Sequence, residues 1–90
     1  MEERLSQLRE EIDRIDSELL QALAERLDVV REIGALKRSK GLPARDDARW
    51  QEVVTKAKKE AAQKGIPVSL IEDVFEAIHS AALEIESAES

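Results

Sequence analysis

Apolar side chains recur along the first forty residues at Leu5, Leu8, Ile12, Ile15, Leu19, Ala22, Val29, Ile33 and Leu36, at intervals of three and four except between Ala22 and Val29. That is the period of an amphipathic helix and not of a strand. The position that would fill the gap is Arg26, a cation on an otherwise apolar stripe. No proline interrupts the run, its one glycine is Gly34, and strong helix formers dominate it. The pattern predicts one unbroken helix from Glu2 to about Lys40, roughly 55–60 Å long at ~1.5 Å per residue. A compact chain of this length has a radius of gyration of only about 12 Å. The remaining fifty residues cannot cover so long a stripe, and a second copy of the helix is the simplest cover. The expectation is an all-α, three-helix chain in an intertwined homodimer.

The rest of the chain is punctuated clearly. Lys37, Arg38 and Lys40 crowd the last turn of the first helix, Gly41 follows as its αL cap, and Pro43 stops it. After the short LPARDD loop, Asp46 or Asp47 can cap a second helix that runs to about Lys64, where Gly65 and Pro67 end it. Its apolar residues are Trp50, Val53, Val54, Ala57 and Ala61. Ser69 and Glu72 have the spacing of a capping box for a third helix reaching about Glu86, with Ile71, Val74, Phe75, Ile78, Ala82 and Ile85 on one face. No repeat or linker divides the 90 residues, so a single domain is expected over 1–90.

Composition narrows the function classes. The formal charge is −6, with one Trp, one Phe and no Tyr, which argues against a nucleic-acid partner. The absence of cysteine removes disulfides and Cys-based metal sites, no stretch has the length and apolarity to span a membrane, and the cytoplasm is the expected compartment. Neither a Gly-rich phosphate loop nor a GxSxG elbow occurs, and a single histidine builds no His-based zinc site. No cofactor is expected. His79 falls beside the apolar face of the third helix, a flank position suited to a structural hydrogen bond.

What remains is the set of cations at the edges of the apolar faces. Arg26, Val30, Ile33 and Lys37 share one stripe, with the two cations roughly 16 Å apart along the axis. Two long side chains converging from either end can grip a small dianion. Arg9 lies about 25 Å further back and cannot reach that ligand within its own chain. In an antiparallel dimer, Arg9 of the second copy can come alongside. Solvated or ion-paired residues on a Glu-rich helix are the competing reading, and it is weakest for Arg26, because an unpaired buried guanidinium is costly.

The residues LREEID, then LLQALAERLDVVREIGALK, then RDDAR after a short loop, then a third helix after a Gly-x-Pro turn, resemble the small all-helical chorismate mutases of the AroQ class. The likeness rests on the LR-x-x-ID opening, the AER in mid-helix, the G-x-x-K before the loop and the RD-x-x-R after it, and it covers nearly the whole chain. It implies intertwined dimers of three-helix chains and the cofactor-free rearrangement of chorismate to prephenate, in aromatic amino-acid biosynthesis. It further implies that a partner's Arg9 and Arg26 bind the substrate carboxylates and that Lys37 donates to the ether oxygen. Arg49 would line the pocket, and Asp46 would hold the ring-hydroxyl side.

Three positions depart from the pattern that the resemblance implies. Trp50 stands where a hydroxyl-binding Glu is expected, Ala82 where a Ser is, and Glu86 where a Gln would donate to the ether oxygen. Trp50 also suits the core face of the second helix. An ionised carboxylate accepts hydrogen bonds and cannot donate them. Glu86 is therefore expected to act in its protonated form, which burial favours and nearby Lys37 opposes; the competing reading is a frayed, solvated end residue. These departures leave an isochorismate pyruvate lyase, a 4-amino-4-deoxychorismate mutase and a non-catalytic, partner-dependent helical module open beside the mutase.

Overall fold

The structure, a computed structural model, describes residues 2–88. It holds three helices and, among the described residues, no strand. Helix α1 spans Glu2–Ser39, α2 Asp47–Gln63 and α3 Val68–Ser87. Glu2 and Glu3 in the first turn of α1 and Lys37 and Arg38 in its last both complement the helix dipole. The longest dimension of the chain is 59 Å and its radius of gyration 16.8 Å, well above the compact value, because α1 extends past its neighbours.

The two interhelical loops begin alike. Gly41 has φ 67° and Gly65 φ 71°, the left-handed region that glycine enters without steric cost. Leu42 N–H donates to the Lys37 carbonyl and Gly41 N–H to that of Arg38, while Ile66 N–H donates to Ala61 and Gly65 N–H to Ala62. These paired bonds are Schellman motifs, and they satisfy carbonyls that the ending helix leaves open. Asp46 caps α2, its carboxylate accepting the Arg49 N–H at 3.1 Å.

The start of α3 departs from the expected capping box. Pro67 occupies the cap position at φ −56° and makes no side-chain hydrogen bond to the helix. Ser69 therefore falls inside the first turn, and Glu72 pairs across to Lys58 on α2 at 3.1 Å. Pro67 contributes only its carbonyl, which accepts the Leu70 and Ile71 N–H groups at 3.1 and 3.3 Å.

Helix α3 packs on both other helices, and α1 and α2 do not pack on each other. Val30 and Gly34 of α1, Ala61 of α2 and Ala82 of α3 are buried. A Cβ added at Gly34 would lie 3.1 Å from Glu86 Cα, so the missing side chain is what lets the end of α3 approach α1 this closely. The other half of α1 has no cover. Leu5, Leu8, Ile12, Ile15 and Leu19 are 42–59% exposed, an apolar stripe on one side of the unsupported half. No helix among the described residues is long and apolar enough to cross a membrane.

Candidate active site

Where the packed half of α1 meets α2 and α3, the three helices enclose a cavity of about 500 Å³. Small-molecule sites commonly fall in the range of roughly 300–1,000 Å³. Val29, Val30, Ile33, Val53 and Leu83 supply its apolar wall. Of the residues singled out above, Arg26, Lys37, Asp46, Arg49 and Glu86 all line it, as do Trp50, His79 and Ala82. Arg9 does not: it lies exposed on the unsupported half of α1.

Lys37 is the best-fixed cation. Its Nζ donates to the Ala44 carbonyl at 2.7 Å and to Glu86 Oε1 at 2.6 Å, tying α1 to the loop before α2 and to the end of α3. The two side chains are 21% and 11% exposed, so solvent screens this ion pair less than a surface one. An ammonium has three N–H groups. With two engaged, the third is left with a defined range of directions for a ligand oxygen. Glu86 lies within α3 and is held at both side chain and backbone, its carbonyl accepting from Arg38 Nη1 at 3.0 Å, so it is not a frayed end residue.

The remaining cations are placed but not locked. Arg26 is half-buried and, among the described residues, has no ion-pair partner. Arg49 reaches Glu52 only at 3.5 Å, with both side chains about 70% exposed, a contact of little energetic weight. Asp46 spends one carboxylate oxygen on the α2 cap.

His79 makes no side-chain hydrogen bond among the described residues, contrary to the structural bond expected of it. It stacks instead on Trp50, with ring centroids 3.9 Å apart and planes inclined by 10°. The imidazole finds a flat partner across the α2–α3 seam, and contact with the Trp face replaces a polar one. Trp50 thus serves the packing of α2 and the wall of the cavity together.

Sequence reasoning passed over Glu25, Ala44 and Arg38. Glu25 lines the cavity beside Arg26 but is one acid among many on α1. Ala44 contributes only its carbonyl. Arg38 reads in the sequence as a dipole-complementing residue at the end of its own helix, and its contact with α3 spans 48 positions. No periodic signal reveals either backbone contact.

The chain gathers guanidinium, ammonium and carboxyl groups around one cavity, which is the arrangement of a helical domain with a polar pocket between its helices. More narrowly, it is a member of the chorismate mutase type II family, which matches residues 8–87. The chain is 42% identical over 71 residues to a T-protein of Enterobacter agglomerans, covering 79% of this chain and 19% of that one. It is 34% identical over 87 residues to a bifunctional chorismate mutase/prephenate dehydratase of Aquifex aeolicus, covering 93% of this chain and 24% of that one. A chorismate mutase of Methanocaldococcus jannaschii is 26% identical over 86 residues, covering 93% and 87% of the two chains. The chain spans about a fifth of the length of the T-proteins it matches. No solved structure matches it at comparable significance.

Proposed function

We propose that this chain catalyses the rearrangement of chorismate to prephenate, an isomerisation in aromatic amino-acid biosynthesis, in a cavity completed by a second copy of itself. The observation that carries the reading is the convergence of Arg26, Lys37 and Arg49 on one cavity whose wall is otherwise largely apolar. Chorismate is a dicarboxylate, and cations spaced along the cavity can hold both of its ends. Folding its enolpyruvyl arm over the ring removes entropy from the barrier. As the ether C–O bond breaks and the new C–C bond forms, negative charge builds on the ether oxygen, and the third Lys37 N–H is the donor that meets it. The step is intramolecular and requires no proton to be removed and no covalent link to the protein.

Charge counting supports the second copy. The lining of one chain contributes three cations, Arg26, Lys37 and Arg49, against three carboxylates, Glu25, Asp46 and Glu86. That balance of zero is poorly suited to a dianion. Arg9 lies on the same unsupported half of α1 as the exposed apolar stripe, so pairing two α1 helices antiparallel covers the stripe and carries each Arg9 toward the other chain's cavity. Covering five half-exposed side chains per protomer contributes on the order of 5 kcal/mol from each chain.

Glu86, held 2.6 Å from Lys37 Nζ, is the carboxyl group nearest the ether oxygen in this reading. Asp46 faces the ring hydroxyl, and Trp50 supplies a flat wall to the ring. Incubating the purified protein with chorismate, isochorismate and 4-amino-4-deoxychorismate, while following ultraviolet loss and product identity, tests the assignment. Conversion of chorismate to prephenate is expected. Pyruvate release from isochorismate alone, or no turnover of any of the three, would overturn it.

A further inference from the structure

Glu86 is held by two consecutive residues of α1. Lys37 takes its side chain at 2.6 Å, and Arg38 takes its main-chain carbonyl at 3.0 Å. Among the described residues that carbonyl has no other donor, since α3 ends at Ser87 and the Ala88 N–H turns back to Ile85. Helix α3 has no basic residue in its own last turn, so the cation that complements the negative end of its dipole comes from another helix. Gly34 makes the reach possible. A Cβ there would stand 3.1 Å from Glu86 Cα and 3.2 Å from Arg38 Nη1, pressing on both the backbone that is held and the guanidinium that holds it.

We infer that Arg38, with the space left by Gly34, is a positioning residue: it caps the C-terminus of α3 from α1 and thereby holds Glu86 against Lys37 at the cavity. Arg38 does not line the cavity and touches no reacting atom. It acts by keeping the last turn of α3 wound, so that the Glu86 side chain leaves the helix at a fixed height and direction. The catalytic consequence rests on the proposed function, whereas the cap itself does not. A guanidinium at an exposed helix C-terminus shifts a local equilibrium by about two- to five-fold.

Two variants test it in the full chain. Arg38→Met keeps most of the side-chain stem and removes the donor, and Arg38→Lys keeps a cation. Hydrogen exchange of the segment 83–88 is expected to quicken about two- to five-fold in Arg38→Met, with α2 unchanged and Arg38→Lys restoring part of the protection. In turnover, Arg38→Met is expected to lower kcat by a similar factor with KM little altered. The same substitution in a Glu86→Ala background should have no further effect, because the residue it positions is gone. Unchanged exchange at 83–88, or an equal loss of turnover in both backgrounds, would overturn the inference. If the wild type turns over none of the three substrates, the proposed function fails, and the exchange measurement still decides the cap.

Discussion

Replacing Glu86 by Gln separates stability from turnover. In the structure Glu86 Oε1 accepts from Lys37 Nζ at 2.6 Å, with the two side chains 11% and 21% exposed. The amide oxygen of Gln can still accept that N–H, so the contact passes from a charge-assisted bond of about 1.5–3 kcal/mol to a neutral one of about 0.5–1.5 kcal/mol. The loss is about 1 kcal/mol, or about 5 °C in melting temperature for a chain of this size. Turnover is expected to move the other way. An ionised carboxylate has no proton to give the ether oxygen, whereas the Gln amide has two. One preorganised donor at a full oxyanion is worth about 10²–10³ in rate, and the partial charge here sets a gain of at least about ten-fold at neutral pH. The assay is the initial rate of chorismate loss at neutral pH, beside a thermal melt of each protein. Turnover of Glu86→Gln equal to or below that of the wild type refutes the reasoning.

Three further outcomes follow from the same geometry. Arg26→Ala removes a cation that no described residue pairs with, so its circular dichroism and dimer mass should match the wild type while turnover falls by about 10² or more. Gly34→Ala gains about 1 kcal/mol of helix propensity and meets an overpacking cost of about 1–3 kcal/mol where the new Cβ presses on Glu86; a thermal melt should move by only a few degrees, and steady-state kinetics should show kcat falling more than KM rises. Ile12→Glu puts a charge into the exposed α1 stripe, and sedimentation should show monomers with little turnover, since neither stripe nor cavity is then completed.

The helices were legible because their cause is local. Intervals of three and four, the caps at Asp46, Gly41 and Gly65, and the stop at Pro43 all act within a few residues, and the three spans follow from them. The stripe from Leu5 to Leu19 was legible as an unmet need for cover, which a single chain does leave open. What misled was a local rule overruled by a neighbour: Ser69 and Glu72 have capping-box spacing, yet Pro67 takes the cap and Lys58 takes Glu72. For the site, Arg26 and Lys37 stood out because cations on an apolar stripe demand a reason. The Trp50–His79 stack and the Arg38–Glu86 bond join residues on different helices, and the spacing along any one helix carries no trace of them.

The central claim is that each cavity is completed by the second chain, and subunit mixing tests it most directly. Arg9→Ala and Arg26→Ala should each be nearly inactive alone. When the two are unfolded together and refolded as a mixture, random pairing makes about half of the dimers mixed, and each mixed dimer holds one cavity with both arginines intact. The account predicts recovery of about one quarter of wild-type turnover per chain. Recovery no greater than the sum of the two separate variants, with mixed dimers demonstrably present, would contradict it.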